Sequence, residues 1–270
     1  MRVISYAIFA VALSLSGSLN AQETKGRVEQ VSVHMGEMSM DIGVDAPEGT
    51  PPVERESLRF EPYQMLDELF RDDVVFLMRH GPTDWSTRDE KDVSPIDCSN
   101  QRVMTDEGRQ NMRDMGFLMA GNDLRPSRII TSEWCRNQQT LDALFSGMEA
   151  WDAEYAASID VVTDKSLNLL LSLQGAPNVT ELREIVDGWT GEGQDGPLLV
   201  ISHYTNIEEL TEFRVYEGEM LMIDPKRESR VLGYLRLRSA APDVGHFAGE
   251  GAEQPLTLTR SARMVLGPTV

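Results

Sequence analysis

Apolar positions in this chain follow two different patterns. Between residues 22 and 44 they alternate with polar ones. Val31, Val33 and Met35 form one series, and Met38, Met40, Ile42 and Val44 form another. Strict alternation predicts two half-buried strands. The Gly36-Glu37 pair between them suits a two-residue type II′ hairpin connection, with glycine first. His34 falls on the polar side of the pattern and reads as a solvated side chain. Pro47, Gly49, Pro51 and Pro52 then mark 45–55 as a linker, so 22–57 reads as an N-terminal extension.

From Leu58 onward, unbroken apolar runs replace the alternation. Val74–Met78, Arg128–Thr131, Ile159–Thr163 and Pro197–Ser202 are short and rich in β-branched residues, as strands buried on both faces of a parallel sheet are. Helical spacing separates them. Glu61–Phe70 predicts a short helix. Thr105 can cap a second, with Met112, Met115 and Met119 as core filling. Trp134–Met148 and Val179–Trp189 predict two more. Met220–Ile223 and Val231–Leu237 read as a terminal strand pair around the polar turn at 224–230. The expected fold is α/β: a three-layer α/β/α sandwich with a mostly parallel central sheet over 58–240, plus the N-terminal hairpin. Residues 241–270 carry no long pattern and read as a tail, in which His246 has no expected role.

Residues 1–21 lie outside that fold. Arg2 is their only charge, an apolar stretch follows, and Leu19-Asn20-Ala21 offers a small residue before a cut. This is the layout of a secretory signal cleaved after Ala21, which places the mature chain in the periplasm or outside the cell, with no membrane insertion of its own. The formal net charge is −19, and loss of Arg2 makes it one unit more negative. So acidic a chain lacks the diffuse attraction to nucleic acid or anionic lipid that basic proteins use. An anionic small molecule has to be held by local arginines instead. The two cysteines, Cys98 and Cys135, suit a disulfide in an exported chain, or two buried thiols; alone they do not complete a zinc shell. No spacing of His, Asp or Glu suggests a metal, and no cofactor is implied.

Three of the expected strands end alike. Arg79-His80-Gly81-Pro82 follows the first, Ser132-Glu133-Trp134-Cys135-Arg136 the second, and His203 the last. A parallel sheet gathers its carboxyl ends at one edge, where ligands of open α/β sheets bind. Two histidines and two arginines therefore meet at one place, and free N–H groups at the helix start near Arg136 would add to anion binding. Neutral imidazole is a competent nucleophile, and guanidinium is a planar fork that matches phosphate.

These residues carry a resemblance. LMRHGPT resembles the first motif of the histidine phosphatase superfamily, of phosphoglycerate mutase-like fold. Ser132-x-x-x-Arg136-x-x-Gln139-Thr140 resembles its second motif, and the strand ending at His203 its third. Asp97-Cys98-x-Asn100-Gln101-Arg102, followed by Thr105-x-x-Gly108-Arg109, is similar to small exported bacterial members, in which cysteines at these two places pair. The resemblance implies a metal-independent phosphatase acting on a small phosphorylated substrate. His80 would become a phosphohistidine, Arg79, Arg136 and a protonated His203 would hold the phosphoryl oxygens, and Thr83, Arg102 and Tyr204 would bind phosphate or shape its site. The usual general acid is missing. Leu167–Leu173 holds no carboxylate where one branch has Glu, and Tyr204 stands where another has Asp. Asp84, Glu133, Glu208 and Glu219 are candidate substitutes. The alternative is an exported phosphate-binding or envelope-interaction protein that retains the pocket.

Overall fold

The computed structural model describes residues 30–32, 36–39, 56–61 and 66–247. The signal sequence, the 45–55 linker, His34, the outer positions of the hairpin series and the tail beyond 247 lie outside these residues. Nine strands form one sheet: β1 (Gln30–Ser32), β2 (Glu37–Ser39), β3 (Leu58–Phe60), β4 (Val75–Arg79), β5 (Arg128–Thr131), β6 (Asp160–Thr163), β7 (Leu198–Ser202), β8 (Met220–Asp224) and β9 (Arg230–Leu237). Their spatial order is β1-β2-β3-β9-β8-β4-β7-β5-β6. The neighbours β4, β7, β5 and β6 run parallel, and from β8 outward to β1 every pairing is antiparallel.

Strand alternation divides the core between the two faces. Phe76 and Met78 of β4 pack on one face with Met112, Met115 and Met119 of helix α1 (Asp106–Gly121) and Leu144 and Met148 of α2 (Cys135–Trp151). Val75 and Leu77 face the other way, onto Leu182 and Val186 of α4 (Thr180–Asp187) and Ile207 of α5 (Tyr204–Thr211). A short α3 (Ala153–Ser158) leads into β6. This is the expected three-layer sandwich. All five β4 residues are buried, and each large apolar one contributes about 1.5–3 kcal/mol by leaving water. Thr105 caps α1 as its sequence predicts, its Oγ1 accepting the Gly108 N–H at 2.9 Å. α1 and α2 cross with their backbones nearly touching: a Cβ on Gly147 would overlap the Arg113 carbonyl, and one on Gly116 the Leu144 carbonyl.

Several expectations need correction. The hairpin connection is not Gly36-Glu37. Ser32 pairs with Glu37, so Glu37 lies in β2 and not in the connection. The reason lies on the far edge of β2, where Glu37 and Met38 pair with Arg59 and Leu58 of β3, while Gly36, at φ +55°, gives its carbonyl to Phe60 N. The hairpin thus continues the central sheet through β3 and β9. The Glu61–Phe70 helix is, over the described part, a 3-10 segment at Leu66–Phe70. Among the described residues no helix is long and apolar enough to cross a membrane.

Candidate active site

β4, β7 and β5 end in step. The His80 N–H donates to Ser202 O (3.1 Å), and Ser132 N–H to Ile201 O (3.2 Å), so three strand ends open onto one cavity of about 570 Å³. His80 and His203 both line it, with ring centroids 5.7 Å apart. His80 Nδ1 lies 3.0 Å from Gly81 O. A carbonyl only accepts, so Nδ1 carries the hydrogen and Nε2 keeps the lone pair.

The state of His203 follows from a chain of partners. Asn168 Nδ2 donates to Glu133 Oε2 (2.8 Å) and its Oδ1 accepts Glu133 N–H (3.0 Å), which settles the amide orientation. Ser132 Oγ must then donate to Asn168 Oδ1 (2.9 Å) and accept from His203 Nε2–H (3.0 Å). His203 Nδ1 is left as a buried atom without a partner among the described residues. Burial, then Arg136, Arg102 and Arg79, hold this ring well below the ordinary histidine range; burial and the same arginines do so for His80. Burial among three arginines thus opposes the protonated His203 that the resemblance implies.

This has a consequence for stability. Both rings bind a proton in the unfolded chain below a pH of about 6.5, and in the folded chain burial and the nearby arginines hold both well below that value. A depressed folded value means stability is present above that pH and lost as pH falls, by up to about 1.4 kcal/mol per pH unit for each ring. Glu219, Asp72 and Asp114, raised by burial, work with the opposite sign, while His246, lowered to about 4, adds to the loss. The urea midpoint is expected to drop between roughly pH 7 and roughly pH 5.5; an unchanged midpoint would show that the folded rings take up protons.

The arginines divide into two kinds. Arg136 and Arg102 line the cavity. Burial and the neighbouring Arg136 push Arg102 down to about 10, and its guanidinium stacks 3.6 Å from the Trp85 ring. Arg79, expected to clamp phosphate, does not line the cavity. It is fully buried, donating from Nη1 to Asp243 Oδ2 (2.6 Å) and Val215 O (2.9 Å), with Glu217 3.4 Å from Nη2. Arg79 Nε, Arg102 Nε and Arg136 Nε are buried donors without a hydrogen-bond partner among the described residues. The two of these on cavity-lining residues, Arg102 Nε and Arg136 Nε, suit an anion, because buried donors are almost always paired.

Other expected residues are placed differently. Thr83 points away from the cavity, donating from Oγ1 to Glu217 Oε1 at 2.5 Å. The Cys135 N–H at the start of α2 is taken by Gln101 Oε1 (3.2 Å) and Asn137 N–H by Trp134 O (2.8 Å), so neither is free for an anion. Tyr204 lines the cavity with its hydroxyl 3.3 Å from Glu208. None of the four candidate acids lines it. Asp84 is tied to Ser86, Glu133 to Asn168, Glu208 to Tyr204 and Arg214, and Glu219 to Tyr216 N and Arg236. The Cys98–Cys135 disulfide is formed, with Cα atoms 5.5 Å apart.

Three participants were not expected. Asp89 lines the cavity and places both oxygens on Arg136 Nη1 (3.0 and 3.1 Å). Asp243 holds Arg79. His246 lies on the cavity wall, stacked 3.8 Å from the Tyr204 ring and edge-on to Trp85, and burial beside Arg79 lowers it to about 4. Residues 241–247 are thus part of the site and not a plain tail. Among the described residues, no cluster of three His, Cys, Asp or Glu could hold a metal ion.

No family model matches the chain, and no curated protein sequence does. Solved structures do overlap with it. A protein histidine phosphatase SixA complexed with tungstate is 20% identical, over 56% of this chain and 86% of its own, with a TM-score of 0.40. The mycobacterial glucosyl-3-phosphoglycerate phosphatase Rv2419c is 15% identical, over 62% and 96%, at 0.37. A phosphoglycerate mutase from Plasmodium falciparum is 17% identical, over 58% and 86%, at 0.36. At these identities and overlaps the fold rests on this chain's own strands and helices, and the chemistry on its own side chains.

Proposed function

We propose that the protein is a phosphatase that hydrolyses a phosphomonoester, or an activated phosphoryl compound, through a phosphohistidine on His80. The observation that carries this reading is the Nδ1–Gly81 hydrogen bond. It leaves Nε2 as the lone-pair nitrogen of a neutral, buried ring lining the same cavity as Arg136 and Arg102. Nε2 bonds to phosphorus as the bond to the leaving group breaks, and water then hydrolyses the N–P bond. The guanidinium groups supply the positive charge that phosphoryl oxygens need, so the reaction in this reading requires no metal. The cavity far exceeds one phosphate group. Trp85, Leu169, Leu171 and Val244 on its walls leave room for a small organic leaving group. The reading includes export with cleavage after Ala21, which rests on the sequence of residues 1–21 alone.

Phosphate release from an activated aryl phosphate, measured with EDTA, is the test. Turnover undiminished by EDTA is the expected result, and an enzyme silenced by EDTA would overturn metal independence. The binding-protein alternative draws support from the carboxylates already on two arginines, Asp243 on Arg79 and Asp89 on Arg136. It predicts phosphate binding with no release in the same assay.

A further inference from the structure

His80 can attack phosphorus, but an alkyl leaving group departs as an alkoxide and needs a proton. Every acid singled out from the sequence is turned elsewhere. Among the described residues one carboxylate lines the cavity, that of Asp89, and it lies against the Arg136 guanidinium. Resting on the phosphatase reading, we propose that Asp89 is the general acid that protonates the leaving oxygen and the general base that afterwards activates water.

Its position is built. Oδ1 accepts the Arg102 backbone N–H at 2.8 Å, and both oxygens take Arg136 Nη1, so the carboxylate is oriented from two sides. The loop that carries it is stapled to α2 by the Cys98–Cys135 bond, one residue before Arg136. The side chain is 22% exposed, which leaves it a route to exchange protons with solvent. A phosphoryl group bound at Arg136 brings negative charge beside Asp89 and shares the cation that had neutralised it. A phosphomonoester has a second pKa of about 6, so it arrives partly as the monoanion and can hand its proton to Asp89.

The steps balance. His80 Nε2 gives its electron pair to phosphorus. The P–O bond breaks with its electron pair going to the leaving oxygen, which takes the proton from the Asp89 carboxyl. The products are an alcohol, phosphohistidine and Asp89 carboxylate. In the second step water bonds to phosphorus while Asp89 takes one of its protons. The N–P bond breaks and its pair returns to Nε2. Phosphate leaves, Asp89 is again protonated, and the cycle consumes only water.

The variant that tests this is Asp89→Asn, which keeps the shape and still accepts the Arg102 N–H. Wild type, Asp89→Asn and His80→Ala are assayed on an activated aryl phosphate and a simple alkyl phosphate. The expected result is that Asp89→Asn lowers the alkyl rate about 10²–10⁴-fold more than the aryl rate. Equal losses on both esters would mean that Asp89 only positions Arg136, and would overturn the proposal while the phosphatase reading stands. A wild type that hydrolyses only the aryl ester would also overturn it. If wild type hydrolyses neither ester, or His80→Ala matches wild type, the phosphohistidine reading fails and Asp89 falls with it. Circular dichroism and the urea midpoint of Asp89→Asn, compared with wild type, separate loss of chemistry from loss of fold.

Discussion

Replacing His80 with alanine is expected to remove phosphate release, on the order of 10⁴-fold or more, because the ring that attacks phosphorus is gone and its neighbour His203 is not placed to take over. His203 is the nearest candidate. Its Nε2 donates to Ser132, however, and its Nδ1 is a fully buried atom under the field of three arginines. The substitution spares the main chain: His80 N–H still pairs with Ser202 O, and His80 O still accepts Gly218 N–H at 2.9 Å. Folding should therefore survive the loss of the ring. The measurement is steady-state phosphate release together with trapping of an acid-labile phosphoenzyme, present in wild type and absent in the variant. Substantial turnover in His80→Ala, or a label that persists there, would remove His80 from the chemistry.

The second large effect concerns the disulfide. Cys98 and Cys135 are 37 positions apart, and a loop of that length is worth roughly 3–4 kcal/mol in the chain-entropy account. The double variant Cys98→Ser with Cys135→Ser should lose about that much in urea unfolding, a large part of a typical domain's 5–15 kcal/mol. The loss should extend to activity. The tethered loop carries Trp85, Asp89 and Arg102, three residues of the cavity wall, and has little regular structure apart from a 3-10 turn at Cys98–Asn100. A midpoint shift worth less than about 1 kcal/mol would mean that Gln101, bonded to Cys135 N, Ser94 O and Pro95 O, holds the loop unaided.

Much of this arrangement was readable from residues alone, and the reason is geometric. Strands buried on both faces leave an unmistakable apolar run, and a parallel sheet lines up their ends. His80, Arg136 and His203 therefore announced themselves by following Val75–Met78, Arg128–Thr131 and Leu198–Ser202. The partners that tune them did not. Asp89 lies in a loop without period, Glu217 and Asp243 reach Arg79 across more than a hundred residues of chain, and Asn168 acts on His203 through Ser132. Such pairings obey no local spacing, and in a chain with 44 acidic residues none of these carboxylates stands out. The hairpin register was missed for a related cause: what decides it is the other edge of β2, claimed by β3. His246 looked idle because its neighbours Tyr204 and Trp85 are remote in sequence.

Arg79 and Asp243 are separated by 164 positions. At roughly 5–20 residues per second, a ribosome reaches the aspartate about 8–30 s after the arginine. Glu217 comes late as well, and so does β8, the strand that pairs with the open side of β4. Through that interval the central strand has an exposed edge and a guanidinium with no counter-charge, and burying such a group unpaired costs several kcal/mol. The first half of the chain therefore cannot close its own centre as it emerges. Its centre is completed by the last strands and the segment carrying Asp243.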